Sequence, residues 1–188
     1  MTKYLKSNLS DEDIVREILY NNRKDLYEII FKRYHNKVVD KCYSFLKNRP
    51  LAEESAGDVL SRAFEKLQGF KEQSSFSSWL YSITYNYCID YLRLQKKLHY
   101  PEWNNANVLP EIIDETEEDN IEINYINLMK IFDLIHPEEK AMLLMKYQDN
   151  MQIKEISIAL RVSESAAKMR LKRAKARVLY LYKEKYKE

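Results

Sequence analysis

One stretch near the end of the chain places cations along a single face of a predicted helix. On a helical wheel at about 100° per residue, one side of the helix after Ser163 collects Ala167, Leu171, Ala174 and Val178. The opposite side carries hydroxyl, thioether and cationic groups, namely Ser165, Met169, Lys172, Arg173 and, on the flank, Lys168. Hydroxyls and cations of this kind hydrogen-bond base edges and phosphates in a DNA major groove. The pattern therefore predicts a helix face that contacts DNA.

The residues before this helix complete a helix-turn-helix pattern. A short apolar segment, residues 153–160, is followed by Arg161, Val162 and Ser163, whose hydroxyl can cap the next helix. A Gly often stands where Arg161 does, and a positive φ there would strain this residue by about 1 kcal/mol. A solvated surface helix is the alternative for a basic helix taken alone. The coincidence of short helix, turn and cap favours contact with DNA.

Composition predicts an all-α fold. With 2 Gly and 4 Pro in 188 residues, the chain has few residues for hairpin turns and many good helix formers. Apolar spacing predicts helices capped by Ser10, over about 25–43, from about 51 to a cap at Gly69, and over about 77–97. Helical spacing resumes at Ile126, and Pro137 opens a further helix with two acids in its first turn.

Charge divides the chain into three parts. Residues 1–97 hold 17 Lys and Arg against 13 Asp and Glu, residues 98–125 hold eight acids and no Lys or Arg, and residues 126–188 hold 14 cations against 8 acids. Pro101, Pro110 and the acidic run break every helical pattern. We therefore expect two small helical domains, 1–97 and 125–188, joined by an acidic linker, 98–124. Basic domains suit a polyanionic partner.

The sequence lacks the signatures of enzymes, metal sites and membrane spans. It has no phosphate-binding Gly loop, no cluster of metal ligands and no nucleophile near a histidine in a suggestive context, so we predict no enzyme activity, metal or cofactor. Cys42 and Cys88 lie in apolar helical surroundings and are predicted to be core thiols. No apolar run approaches the roughly 20 residues that cross a bilayer, and a signal-peptide core is missing, which favours the cytoplasm.

Several segments, in order, resemble the extracytoplasmic-function sigma factors of bacterial RNA polymerase. Residues 26–35 and 51–64 are similar to that family's polymerase-binding region, and residues 70–83 with 86 and 90–93 to its promoter-melting region. Residues 135–140 and 163–174 are similar to its domain for the −35 element. The resemblance implies a factor that directs promoter-specific transcription initiation, with promoter DNA and core polymerase as partners.

The resemblance also implies a helix face that contacts polymerase. Glu54, Asp58 and Arg62 match positions that the family places against the clamp helices of the largest polymerase subunit. The flap of the second-largest subunit and an anti-sigma factor are further implied partners. The chain departs from the family pattern at Gly57, where Gln is usual, and at Leu60, where Phe is usual.

A single-stranded DNA site is implied as well. The family's loop that captures a base flipped out of the −10 element corresponds to Lys71, Gln73, Ser74 and Ser75. Hydroxyls and an amide can hydrogen-bond an exposed base edge. Helix residues that could continue this surface are Tyr81, Tyr85, Asn86 and Arg93. Trp79 is predicted to be core instead, and Arg93 is most simply an ion-pair partner of Asp90, although it can also reach a phosphate.

Two questions stay open at the level of sequence. In the family the linker passes through the RNA exit path, where a basic channel would attract an acidic strip; a solvated spacer explains the same composition equally well. The chain is alternatively a stand-alone helix-turn-helix regulator. That alternative expects an N-terminal domain that forms dimers or binds a ligand, without the loop at residues 70–76.

Overall fold

Helices make up the regular structure of the described part of the protein. The computed structural model describes residues 9–95 and 124–186, and no strand occurs in these two ranges. The α-helices are α1 (Asp11–Tyr20), α2 (Tyr27–Leu46), α3 (Arg49–Glu65), α4 (Phe76–Leu94), α5 (Tyr125–Phe132), α6 (Pro137–Leu143), α7 (Ile153–Leu160) and α8 (Glu164–Tyr186). Short 3-10 turns cover Lys24–Leu26 and Leu67–Gly69, and a π-helical turn covers Leu144–Gln148.

The chain divides into two compact units, Met1–Leu92 and Arg93–Glu188. The prediction of an all-α protein with two helical domains is confirmed. The predicted linker lies outside the described residues up to residue 123, and so does the predicted end of the fourth helix at Lys97. Within the two described ranges, no helix has both the length and the apolar composition needed to cross a bilayer.

The pairing of α2 with α3 forms the centre of the N-terminal unit. The buried stripe of α2 consists of Ile30, Tyr34, Val38, Val39, Cys42 and Phe45. The facing side of α3 buries mostly small residues, Ala52, Ser55, Ala56, Val59, Leu60 and Ala63. Small residues let two helix axes approach closely. At one end of the pair, the Tyr27 hydroxyl donates to the Leu60 carbonyl, and the Tyr27 ring packs against Phe64 with centroids 4.4 Å apart.

The boundaries of α3 differ from the predicted ones at both ends. Asn48 caps the helix by accepting the Leu51 N–H at 3.1 Å, and Pro50 fits the first turn, where its missing N–H leaves no bond unmade. The helix therefore begins at Arg49 rather than near residue 51. The predicted cap at Gly69 is wrong, because the helix ends at Glu65 and Gly69 belongs to the following 3-10 turn without a positive φ.

Helix α8 lies at the centre of the C-terminal unit, where α5, α6 and α7 all pack against it. The core beneath them contains Ile131, Ala141, Met142, Met145, Met151 and Ile156. Pro137 opens α6 as predicted, with Glu138 and Glu139 in the first turn. At the other end of the unit, the Tyr182 hydroxyl accepts the Asn124 N–H at 2.9 Å. The last turns of α8 thereby hold the start of α5.

Candidate functional site

The turn between α7 and α8 has helix-turn-helix geometry. Arg161 ends α7 with φ 54° and ψ 46°, in the left-handed region that favours Gly. The Val162 N–H donates to the Ser157 carbonyl at 3.0 Å and closes the end of the short helix. Ser163 Oγ then accepts the Ala166 N–H at 3.2 Å, which confirms the predicted cap of α8.

The sides of α8 follow the helical wheel. The residues expected to point inward, Ala167, Leu171, Ala174 and Val178, are all buried. The residues expected to point outward, Ser165, Lys168, Met169, Lys172 and Arg173, are all exposed, and we call them the recognition face. Met169 is a large apolar side chain that is nevertheless 46% exposed. The recognition face thus offers hydroxyl, thioether and cationic groups next to a capped helix N-terminus, where the helix dipole favours anions.

An ion pair that the sequence analysis missed fixes α8 against α6. Arg177 Nη1 donates to Glu139 Oε1 at 2.6 Å, and both side chains are largely buried. Glu139 also accepts the His136 N–H at 3.3 Å, which completes a capping box at the start of α6. The Glu139 carboxylate therefore links the N-terminus of α6 to the second half of α8. Its signal in the sequence was an Arg on the apolar side of a predicted helix.

The loop expected to capture a base, residues 71–75, is called the serine loop below. Lys71, Gln73 and Ser75 are exposed and Ser74 is half-buried. Ser75 has a structural task, since its Oγ accepts the Ser78 N–H at 3.1 Å at the start of α4. Lys71, Gln73 and Ser74 thus remain the residues of this loop whose side chains best fit a base edge or a phosphate.

Helix α1 contacts the serine loop, although it lies far in the sequence from residues 70–93, which the sequence predicts to serve the −10 element. Arg16 donates to Glu72 through Nε at 3.0 Å and through Nη2 at 2.5 Å, one bond to each carboxylate oxygen. At the end of the loop, the Phe76 N–H donates to Glu12 Oε1 at 2.9 Å. The loop is therefore held at two points by the first helix of the described chain. Sequence spacing could not indicate contacts between residues more than fifty positions apart.

Aromatic rings close the space behind the serine loop. Phe70 and Phe76 are buried at its two ends with their rings edge to face, 5.8 Å between centroids. The half-buried Trp79 packs against both rings, at 5.4 Å from Phe70 and 5.7 Å from Phe76. This arrangement agrees with the prediction that Trp79 belongs to the core.

The structure moves one predicted DNA-contacting residue into the core. Tyr85 is 0% exposed, its ring packs on Phe45 and its hydroxyl accepts a hydrogen bond from Lys41 Nζ at 3.1 Å. The prediction that Tyr85 lies on the single-strand surface is therefore wrong. Tyr81 and Tyr85 are four residues apart on the same side of α4, so helix spacing does not separate them; the contacts with Phe45 and Lys41 place Tyr85 in the core. Tyr81 keeps part of its ring exposed, with Lys41 Nζ 4.1 Å from its centroid. Of the other candidates on α4, Asn86 is half-buried and Arg93 is exposed.

The three candidates for polymerase contact, Glu54, Asp58 and Arg62, are exposed along one side of α3. We call them the α3 polar face. Tyr87 of α4 packs beside two of them. Its hydroxyl donates to Asp58 Oδ2 at 2.9 Å, and the Arg62 guanidinium lies 4.8 Å from its ring centroid. Burial, followed by the hydrogen bond to Asp58, raises the pKa of Tyr87. Asp58 and Arg62 are thereby oriented by a tyrosine that the sequence analysis did not single out, while Glu54 is exposed on the same side.

Both cysteines are core residues, as predicted. Cys42 on α2 and Cys88 on α4 are 0% exposed and are not linked by a disulfide. A hydrogen bond with Cys42, together with burial, raises the pKa of Cys88 well above the usual range for a thiol. Thiolate chemistry is therefore strongly disfavoured at Cys88.

Comparison with known proteins identifies both units. Residues 30–98 match Sigma-70 region 2 and residues 126–178 match Sigma-70, region 4. The ECF RNA polymerase sigma factor SigW of Bacillus subtilis is 26% identical over 163 residues, which are 81% of this chain and 86% of SigW. SigX of the same organism, also an ECF sigma factor, is 22% identical over 153 residues, 77% of each protein. These relatives are sigma factors, which are transcription regulators rather than enzymes.

Two solved structures share the fold. CnrH, solved in complex with the cytosolic domain of CnrY, superposes with a TM-score of 0.62 at 14% identity, over 93% of this chain and 98% of CnrH. The sigma factor RpoE of Bartonella quintana, solved with the anti-sigma factor NepR, gives 0.59 at 15% identity, over 84% of this chain and 96% of that one. With both sigma-70 regions matched in order and ECF relatives aligned over most of its length, the chain belongs to the extracytoplasmic-function sigma factors of RNA polymerase.

Proposed function

We propose that this protein binds core RNA polymerase, captures and melts the −10 element and recognises the −35 element of its promoters. The observation that carries the proposal is the exposed, basic recognition face of a capped helix, in a chain whose N-terminal unit matches Sigma-70 region 2. Residues 1–97 would serve polymerase and the −10 element, and residues 125–188 the −35 element. Residues 98–124 would join them.

At the −35 element, α8 would enter the major groove with its first turns. Ser165 and Met169 then face base edges, close to the helix N–H groups that favour phosphate. Lys172 and Arg173 follow on the same face and suit guanine edges and phosphates, with Lys168 on the flank. A bidentate contact between Arg and guanine adds about 1–3 kcal/mol of discrimination against another base.

At the −10 element, the serine loop would receive a base that has left the duplex stack. The Gln73 amide and the Ser74 hydroxyl suit the edge of such a base, and Lys71 suits an adjacent phosphate. Tyr81 offers a partly exposed ring, and stacking of a base on an aromatic side chain contributes about 1–3 kcal/mol. Further candidates along α4 are Asn86 and Arg93.

Polymerase would contact the α3 polar face. Charged residues at the rim of an interface give orientation and partner choice more than affinity, and Glu54, Asp58 and Arg62 fit that part. Tyr87 supports this face, because it contacts the side chains of Asp58 and Arg62. We extend the proposed contact to the flap of the second-largest polymerase subunit through the C-terminal unit.

Regulation and location follow from the same proposal. RpoE of Bartonella quintana was solved with an anti-sigma factor, and we propose that an anti-sigma factor also restrains this protein. A subunit that acts with RNA polymerase on the chromosome works in the cytoplasm, and we place this one there.

The test is co-purification of the full-length protein with core RNA polymerase. A stoichiometric complex is expected, together with weak binding of duplex promoter DNA by the protein alone. Asp58→Lys should weaken core binding at least about tenfold, because it reverses the charge of one residue in the polar rim of the interface. Asp40→Lys is the matched control, because Asp40 is an exposed acid on α2 that lies outside residues 26–35 and 51–64 and pairs with the exposed Arg49. Tight dimeric binding to duplex DNA without polymerase would support the stand-alone regulator instead.

A further inference from the structure

The serine loop has a conformation that contacts from outside must maintain. Glu72 adopts φ 54°, in the left-handed region that non-glycine residues rarely occupy. A residue in such a conformation persists where its surroundings over-determine it. The loop is also exposed over most of its length, so its own packing supplies little of that restraint.

Arg16 provides a directional restraint on this strained residue. Its guanidinium donates through Nε and Nη2 to the two oxygens of the Glu72 carboxylate, at 3.0 Å and 2.5 Å. A two-bonded pair of this kind fixes the orientation of the carboxylate as well as its distance. Asp13 lies one turn earlier on α1 and accepts from Arg16 Nη1 at 3.3 Å, which orients the guanidinium in turn.

The other end of the serine loop is held by the same helix. The Phe76 N–H, the first of α4, donates to Glu12 Oε1 at 2.9 Å. Glu12 and Arg16 are four residues apart and therefore lie on one side of α1. Helix α1 thus contacts both Glu72, near the start of the loop, and Phe76, directly after it.

Helix α1 is itself a fixed platform. Its apolar side, Ile14, Val15 and Ile18, is buried. Asp11 at its first position accepts from Arg33 Nη1 at 2.6 Å and from the Tyr34 hydroxyl at 2.5 Å, both on α2. A contact from α1 to the loop therefore connects the loop to the core helices.

We propose that Arg16 is a positioning residue for promoter recognition, holding the serine loop through Glu72 in the conformation that receives the flipped base. The proposal rests on the proposed function at the −10 element and assigns a part of that specificity to α1. In this role Arg16 does not touch DNA. It acts through the loop backbone, which sets where Lys71, Gln73 and Ser74 point.

The solvent exposure of the Arg16–Glu72 pair separates this positioning role from a general contribution to stability. The Arg16 side chain is 51% exposed and that of Glu72 is 38% exposed. Exposed ion pairs add little to global folding, because water screens them and long side chains must be ordered to form them. Loss of the pair should therefore leave the fold intact while the loop samples other conformations. The expected change is in base selectivity.

The experiment uses the full-length protein assembled with core RNA polymerase and a promoter library randomised at the −10 positions. Arg16→Glu should reduce the preference for the best −10 sequences by about five-fold, the size expected of one exposed ion pair. The melting midpoint and the affinity for core polymerase should not change. The charge swap Arg16→Glu with Glu72→Arg should restore at least half of the lost preference.

Arg23→Glu is the matched control, because Arg23 pairs with Asp25 at similar exposure rather than with a residue of the loop. Hydrogen exchange of the amides at residues 71–75 in the free protein supplies a second readout. It should become faster in Arg16→Glu and return in the swap. Unchanged −10 preference in Arg16→Glu, or a swap that restores neither readout, would overturn the proposal. A wild-type protein without any −10 preference would instead overturn the proposed function, while the exchange data would still report whether Arg16 orders the loop.

Discussion

Glu139 accepts a hydrogen bond from Arg177 at 2.6 Å, with the Arg177 side chain 8% exposed and that of Glu139 19% exposed. The pair joins the first turn of α6 to the second half of α8. A recognition helix can present its outer face in one orientation only if its inner face is fixed, and this pair lies on that inner side next to Val178. The ion pair therefore helps to fix the inner face of α8 against α6.

Removing one member of this pair should destabilise the C-terminal unit. Glu139→Ala leaves a buried guanidinium without its carboxylate, and we expect the free energy of unfolding to fall by about 3 kcal/mol. Both tryptophans, Trp79 and Trp103, precede residue 124, so hydrogen exchange of residues 137–186 is a more specific measure than Trp fluorescence.

The double variant Glu139→Met with Arg177→Met gives the complementary result. It should be clearly more stable than Glu139→Ala, because it leaves neither charge buried. Arg173→Met, which removes an exposed cation from the same helix, is the control and should change stability little. Equal losses in Glu139→Ala and Arg173→Met would contradict a buried, energetically coupled pair.

The left-handed backbone at Arg161 predicts a stabilising substitution. Arg161→Gly should raise the free energy of unfolding by about 0.5–1 kcal/mol, because Gly occupies φ 54° without the steric penalty of a Cβ. Arg161→Ala serves as control, since it removes the same exposed side chain and keeps the strained backbone. Urea denaturation of the full-length variants, followed by circular dichroism, measures the difference. A gain in Ala equal to that in Gly would show that the side chain, not the backbone, was responsible.

His136 gives the C-terminal unit a pH dependence. Its Nδ1 accepts the Glu138 N–H at 3.2 Å at the start of α6, a bond that only the neutral ring can make. Burial lowers the pKa of His136 from its ordinary value of 6.5, although Glu138 and Glu139 oppose the shift. As pH falls, the unfolded chain binds this proton before the folded one does, so the stability present above pH 6.5 declines toward the folded pKa.

Urea midpoints measured between pH 8 and pH 5 test this directly. The wild-type protein should lose stability across the lower part of that range. His136→Asn keeps a side chain that can cap the helix but cannot titrate, and its loss over the same range should be smaller. A slope that is identical in the two proteins would exclude His136 as the source.

Removing cations from the recognition face should reduce recognition of the −35 element. The double variant Lys172→Ala with Arg173→Ala should lower initiation from promoters with a −35 element at least about tenfold, since one good base contact supplies 1–3 kcal/mol. Transcription from promoters with a scrambled −35 element should change much less. Lys185→Ala removes an exposed cation about 20 Å further along the helix, and its effect should be small. If initiation at both promoter classes is unaffected by the double variant, the face is assigned wrongly.

Local patterns in the sequence predicted the C-terminal unit well. The alternation of buried and exposed residues along α8, the cap at Ser163 and the strained turn at Arg161 all depend on neighbours within one or two helical turns. Those interactions repeat with the helix period, so a wheel captures them.

Contacts between distant segments were not predictable in the same way. The pairing of Arg16 with Glu72 and the packing of Tyr87 against Asp58 join residues that no spacing rule connects. Tyr85 shows the limit within one helix, because Tyr is found both in cores and at surfaces and only the fit against Phe45 and Lys41 decides its depth. The fold class and the recognition face thus followed from periodicity, whereas the supports of the serine loop and the α3 polar face required tertiary structure.

Run-off transcription tests the function as a sigma factor most directly. The full-length protein is added to core RNA polymerase on a library of duplex promoters with varied −10 and −35 sequences, and transcripts are counted by sequence. We predict transcripts that depend on the added protein and on both elements at a fixed spacing. Full transcription without the protein, or tight binding of the protein alone to a duplex site with no transcript from any promoter, would contradict its function as a sigma factor.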